Sequence, residues 1–361
     1  MSTPLLDVGV IDATTAAAGL RPEKFNRHTF WCGQSGSGKT YALGVVLEEL
    51  LLRTELPLVI IDPNADFVRL GEVREGVDAS VAAALSARDI RVLRPAQRPG
   101  DALLAKFAAM LPQSKAAVLR LDPIIDRIEY NAFLHLSAAG AAADARALVA
   151  QLAASADAGQ RGIAQRIENL GLLDWQIWAG EQAPASQTID ERPDATVLDI
   201  GGFEHPEEAL TVVLSVLDEL WTRREERRPL LLVIDEAHNV CSPELEGTLA
   251  IAVRERLIQI AAEGRKYGIW MLLSTQRPSK VHSGVISQCD NLGLMKMSSP
   301  ADLDELGGVF GFVPRELLAR ASTFEQGQAL LAGGFAAVDG VVRMRQRYTH
   351  EGGADVQVPL R

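Results

Sequence analysis

Eight consecutive residues, Gly33-Gln34-Ser35-Gly36-Ser37-Gly38-Lys39-Thr40, meet every fixed position of the pattern G-x-x-x-x-G-K-[ST]. Glycines at these spacings let the backbone curl until successive N–H groups point at phosphate oxygens. Phe30, Trp31 and Cys32 form an apolar run before the loop, and Tyr41 to Leu52 read as a helix after it. A helix starting there adds the positive end of its dipole. These residue types imply ATP with Mg²⁺ as the ligand. Lys39 pairs with the β- and γ-phosphates, Thr40 offers its hydroxyl to the metal, and the binding set runs from Gly33 through Tyr41. The alternative is a glycine-rich turn that fits by accident, which the flanking strand and helix argue against.

A second constellation completes that chemistry. Leu230 to Ile234 form an apolar strand ending in Asp235 and Glu236. Asp235 is suited to hold Mg²⁺ through its water shell and Glu236 to polarise the attacking water. Adjacent acids can divide these tasks because successive residues at a strand end point in different directions. Taken alone, the pair could equally be a polar strand terminus before a helix cap. Gln276 follows the strand Ile269 to Ser274 and could sense the γ-phosphate or orient the water; an ordinary turn residue is the other reading. Asp62, at the end of Leu58 to Ile61, either supports the metal or the water or stabilises the turn Pro63-Asn64-Ala65-Asp66. Asp122, Asp126 and Glu129 read as a solvated helix face.

The elements that must position these groups alternate. Short apolar runs at 58–61, 196–200, 230–234, 269–274 and 292–297 read as buried parallel strands, separated by helical patterns at 207–227 and 245–266. With the phosphate loop at the first turn, this predicts an α/β fold: a RecA-like doubly wound, mostly parallel sheet with a helical insertion. The expected organisation is an N-terminal segment 1–28, an ATPase core 29–76 plus 190–348, a mostly helical insertion 77–189 and a tail 349–361. Within the insertion, 90–93 is the strand candidate, and 121–136 and 141–154 have helical periodicity. Gln328 to Ala332 and Gly340 to Met344 suggest an edge hairpin.

Bulk properties narrow the class. With 361 residues, 47% hydrophobic and 23% charged, the chain can bury a large core. A net charge of −11 and a pI near 5.2 exclude a surface that grips nucleic acid everywhere, so any such contact is local. Cys32, Cys241 and Cys289 are too far apart for metal-ligand spacing and read as reduced, buried thiols. Without a leader-like or bilayer-length apolar stretch, the expected location is cytoplasmic, with no direct membrane insertion.

Several stretches together resemble the HerA/FtsK superfamily of ATPases, most of all its HerA branch: Arg27-His28 before the loop, Ile61-Asp62-Pro63-Asn64-Ala65-Asp66, Asp235-Glu236-Ala237-His238, Glu263-Gly264-Arg265-Lys266-Tyr267-Gly268 and Ser274-Thr275-Gln276-Arg277-Pro278-Ser279. The resemblance implies a homo-hexameric ring that moves double-stranded DNA through its centre, with ATP between adjacent subunits and a nuclease as partner. It further implies that Arg265, and less directly Arg27, reach into the neighbouring subunit's site, where a guanidinium stabilises charge on the γ-phosphate. From the residues alone, Arg265 and Lys266 could simply answer a helix dipole. Two departures stand out. The N-terminal β-barrel usual in HerA-like proteins, which helps assemble the ring and receive a NurA-like nuclease, has no counterpart in the short stretch before Gly33. At 291–297, where FtsK-type proteins tend to carry an arginine, this chain has Lys296. Lys280 and His282 lie in a loop and receive no role. The competing functions are a type IV secretion or conjugation ATPase and a nucleotide-gated assembly module with little turnover.

Overall fold

The computed structural model describes residues 4–136 and 145–353. Twelve strands form one sheet: β1 (Leu6–Ile11), β2 (Ala17–Leu20), β3 (His28–Cys32), β4 (Leu58–Asp62), β5 (Ile90–Arg94), β6 (Asp101–Ala102), β7 (Ala195–Asp199), β8 (Leu230–Ile234), β9 (Ile269–Thr275), β10 (Cys289–Leu294), β11 (Gln328–Gly333) and β12 (Gly340–Met344). Their order is β2-β1-β12-β11-β10-β3-β9-β8-β4-β7-β5-β6. From β10 through β6 the pairs are parallel; from β10 back to β2 they are antiparallel.

Why the central strands are continuous apolar runs is visible in β8. Leu230, Leu232 and Ile234 enter one hydrophobic cluster, while Leu231 and Val233 enter another on the opposite face. A strand covered on both faces needs apolar side chains at every position, and each fully buried one contributes about 1.5–3 kcal/mol. Helices supply the two covers. α1 (Lys39–Arg53), which follows β3, packs on one face, and α8 (Pro206–Thr222) and α9 (Thr248–Glu263) pack on the other.

Several sequence expectations shift. The segment before residue 29 supplies β1 and β2, with β1 pairing β12. Consequently β11 and β12 form the expected hairpin but lie inside the sheet, and β2 is its edge. The predicted strand at 292–297 instead runs from Cys289 to Leu294; its start takes in the polar Asn291, which turns inward to hold Lys24, Thr29 and Phe335. The stretch 77–189 carries the expected strand near residue 90, but β5 and β6 extend the main sheet beside β7. Its helices are α2 (Ala79–Ser86), α3 (Pro112–Val118), α4 (Arg127–Leu134), α5 (Ala145–Ala153), α6 (Ala158–Asn169) and α7 (Ala185–Asp190). The expected helix at 141–154 lies partly outside the described residues, as does the tail beyond Gly353. Asp122 and Asp126 do not share a helix face with Glu129. Asp122 accepts from the N–H groups of Ile124 and Ile125 in a turn before α4, and Asp126 pairs with Arg166 at 2.7 Å.

One buried group ties the fold to pH. His28, at the first position of β3, is wholly buried. The N–H of Met271 donates to its Nδ1 at 2.9 Å, so the proton resides on Nε2, 3.0 Å from the Ala261 carbonyl. Burial pushes the imidazole down to about 4, with the Ala261 carbonyl, Arg265, Asp290 and Arg27 as its other influences. A pKa depressed below the unfolded value means that His28 contributes stability above about pH 6.5 that is lost as pH falls through 4. Urea unfolding of the native chain and His28→Gln at stepped pH should show their stability difference shrinking across that window; a constant difference contradicts it.

Candidate functional site

The phosphate loop connects the carboxyl end of β3 to α1. Gly36 and Gly38 take φ of 76° and 87°, the left-handed region that side-chain-bearing residues avoid. At Gly33 the constraint is contact, since a Cβ there would lie 2.5 Å from Met295 Cβ and 2.8 Å from Ser37 Oγ. The loop is pinned from both neighbouring strands. Gln34 N–H donates to the Lys296 carbonyl at 2.8 Å and Gly33 N–H to the Thr275 carbonyl at 3.3 Å. α1 has no acidic residue in its first turn, leaving its positive end uncompensated.

Walker-type carboxylates meet the lysine directly. Lys39 Nζ donates to Asp235 Oδ1 at 2.9 Å and Ser274 Oγ at 2.8 Å, and lies 3.1 Å from Glu236 Oε1. Burial alone would lower the lysine's pKa, but Asp235 and Glu236 outweigh it and the net shift is upward. Ser274 Oγ also donates to Asp235 Oδ1 at 2.7 Å. Glu236 sits at the turn after β8 with φ 46°, a strained conformation for a side-chain-bearing residue. Its carboxylate is gripped throughout. Gln276 Nε2 donates to Oε1 at 2.9 Å and Gln276 N–H to Oε2 at 3.3 Å, while His238 Nδ1 is 3.2 Å from Oε2. Burial works to raise its pKa, yet His238, Lys39 and Gln276 hold it down at about 2.

Beside Asp235 stand Asp62 and Asp66, the three carboxylates each placing an oxygen within 4.8 Å of the others. Both readings of Asp62 hold together: it accepts from the N–H groups of Asn64, Asp66 and Phe67, and it faces Asp235. Burial raises Asp62 to about 7 and Asp66 to about 6, with Asp235 adding to both. Buried oxygens without protein partners, Asp235 Oδ2 and Ser37 Oγ, remain at this cluster and in the phosphate loop. An oxygen-only donor set of this kind fits a hydrated Mg²⁺.

Of the residues expected from the sequence, Gly33 through Lys39, Asp235, Glu236 and Gln276 converge at the carboxyl edge of the sheet. Thr40 is half-buried in the first turn of α1. Tyr41 turns to the C-terminal segment, its hydroxyl accepting from Arg347 N–H at 2.7 Å and Arg74 Nη1 at 3.2 Å. Arg27 and Arg265 are not at this chain's own loop. Arg265 precedes β9, Arg27 precedes β3, and both face Asp290, at 2.6 Å and 3.6 Å. This is the amino-terminal edge, and five residues of β3, roughly 16 Å, separate it from the phosphate loop.

Sequence reasoning gave no role to Ser274, His238, Asp66 or Glu48. The first three sit inside quoted motifs, one or a few positions from a residue that was assigned. Glu48 carried no signal, because an acid within a helix reads as surface. It is fully buried and accepts from Arg345 Nη1 at 3.0 Å, Tyr348 N–H at 3.0 Å, Thr349 N–H at 2.8 Å and Thr349 Oγ1 at 2.7 Å. The same strap meets the Asp62 loop, where Gly352 N–H donates to the Asp66 carbonyl at 3.0 Å and Arg74 N–H to the Tyr348 carbonyl at 2.7 Å. Residues 345–352 thus bind the loop helix to the carboxylate loop.

Comparison with known proteins agrees with this architecture. The family model for the central domain of helicase HerA matches residues 6–172. The DNA double-strand break repair helicases HerA of Sulfurisphaera tokodaii and Pyrococcus furiosus are 26% and 28% identical over 148 and 116 residues, 38% and 32% of this chain. Over these stretches the chain is similar to the HerA branch of the HerA/FtsK superfamily of P-loop ATPases. Those alignments span 29% and 20% of the two relatives. A probable helicase of Methanocaldococcus jannaschii is 27% identical over 37% of this chain and 26% of its own length. Among solved structures, the match to VirB4 of Thermoanaerobacter pseudethanolicus (TM-score 0.58, 14% identity) covers 94% of this chain and 96% of that one. The bacterial conjugative coupling protein TrwB (TM-score 0.60, 16% identity) covers 96% and 91%. At such identities the likeness is one of fold, the RecA-like P-loop core. The homologues support a P-loop ATPase, a class of protein that binds nucleotide. No helix among the described residues is long and apolar enough to cross a membrane.

Proposed function

We propose that this chain is an ATP-driven ring motor that moves double-stranded DNA, with ATP and Mg²⁺ bound between adjacent subunits of a homo-hexamer and a nuclease as the class of partner. The observation that carries the reading is the arginine pair. Arg27 and Arg265 converge on one exposed carboxylate, Asp290, at the edge of the sheet opposite the chain's own phosphate loop. From there they cannot reach their own γ-phosphate, whereas a subunit packed against that edge would receive both.

Within one site, Lys39 exchanges Asp235 and Glu236 for the β- and γ-phosphates. Asp235, with Thr40, would hold the water shell of Mg²⁺, which would supply neutralisation of phosphate charge. When Lys39 leaves Glu236, the carboxylate loses a cation and gains basicity, so phosphate binding itself readies it to orient and deprotonate water. Gln276 keeps that carboxylate aimed and lies where it can sense the γ-phosphate. The trans arginines then stabilise the transferring group, a contribution worth ~10³ to 10⁵ in rate for arginine fingers.

ATP hydrolysis by the purified chain, with and without duplex DNA and beside its mass in solution, tests the proposal. DNA-stimulated turnover by a hexamer is the expected result; turnover indifferent to DNA at low salt overturns the motor. Arg265→Ala should lower turnover by about 10³-fold or more while leaving nucleotide affinity in place. Unchanged turnover in that variant removes the trans arginine. Type IV secretion and conjugation ATPases share this fold, and co-purification with a membrane secretion complex in place of DNA stimulation would select that reading.

A further inference from the structure

We infer that His28 is a positioning residue for the arginine pair: its ring locks the start of β3 to both flanks of the turn that carries Arg265. The inference rests on the proposed action of Arg265 in a neighbouring site. The imidazole uses both nitrogens, one on Ala261 near the end of α9 and one on Met271 near the start of β9. Between those two anchors lies the turn Gly264–Tyr267, with Gly268 after it.

That turn has little freedom of its own. A Cβ at Gly264 would lie 2.8 Å from the Ile269 carbonyl oxygen, and Gly268 takes φ 84°. Fixing its two flanks therefore fixes where Arg265 leaves the backbone. Arg27 is bonded directly to His28, so one ring sets the origin of both guanidinium groups. Asp290, on the adjoining strand β10, then holds them side by side. Burying a polar ring completely is costly unless both nitrogens are satisfied, and phenylalanine would fill the same space without that demand. The two bonds make a defined distance between β3, α9 and β9, which an apolar side chain cannot specify. A displacement of 1 Å at a charge-stabilising group costs up to about 10²-fold in rate.

His28→Asn keeps an acceptor for Met271, and His28→Gln keeps a donor for Ala261, so each variant retains one anchor and one serves if the other folds poorly. In the assembled protein, kcat should fall by about 10- to 100-fold in each. KM for ATP and the mass of the assembly should stay as in the native chain. The discriminating variant is His28→Asn combined with Arg265→Ala. If His28 acts through Arg265, the double variant is no slower than Arg265→Ala alone; if His28 only supports packing, the two losses multiply. Multiplied losses, or native kcat in His28→Asn, overturn the inference while leaving the arginine's role standing. Full turnover in Arg265→Ala overturns both.

Discussion

Glu236→Gln should bind ATP and fail to turn it over, with kcat lower by about 10²- to 10⁴-fold. The substitution keeps the shape of the side chain and leaves the Lys39–Asp235 pair intact, so the nucleotide cradle persists. What it removes is the acceptor. Glu236 receives Gln276 Nε2, Gln276 N–H, His238 and Lys39 on two oxygens, and an amide must turn an NH₂ toward some of those donors. Binding of a fluorescent ATP analogue beside steady-state hydrolysis checks this; retained turnover would move the water-activating role elsewhere. Lys39→Ala is a poorer probe of the same chemistry. It strips the shared cation from two buried carboxylates, so loss of activity there mixes catalysis with a stability cost of about 3–5 kcal/mol.

The second large effect lies away from the phosphates. Glu48→Ala should destabilise the chain by about 3–5 kcal/mol, the range for removing one partner of a buried ion pair. It takes away one of the two carboxylates that hold Arg345, the other being Glu49, removes the acceptors of the Tyr348 and Thr349 amides, and leaves the wholly buried Arg347 without the carboxylate 3.6 Å from its Nε. The midpoint of urea unfolding is the measurement. Glu48→Gln should lose less, because its amide oxygen can still accept from one of the two backbone N–H groups, which in the native chain donate to different carboxylate oxygens. Loss below about 1 kcal/mol in Glu48→Ala would show that the strap does not depend on this anchor. Because the strap also holds the Asp62 loop, a folded Glu48→Gln protein should bind Mg²⁺–ATP more weakly than the native chain.

The central sheet was readable because its strands are buried on both faces and their apolar runs are unbroken, as in Leu230 to Ile234. The segment before residue 29 was not. Leu6 to Ile11 contains Asp7 and Gly9, and its pairing with β12 joins positions more than three hundred residues apart, a contact that no local periodicity announces. The same limit explains Glu48. Its partners lie some three hundred residues away in sequence, so an acid that reads as solvated in a helix becomes a buried hub only once the strap closes over it.

By itself the sequence determined the chemistry that needs adjacent residues. A phosphate cradle depends on consecutive backbone N–H groups, and a metal-and-base pair depends on two acids at one strand end, so both are written locally. Tertiary structure decided everything set by strand order and long-range closure. It placed β9 between β3 and β8, which brings Ser274 to Lys39 and Gln276 to Glu236 at one edge, and β10 beside β3, which puts Arg27, Arg265 and Asp290 together at the other. The physical reason is that parallel strands give a sheet two chemically distinct edges, and only the fold determines which residues share each one.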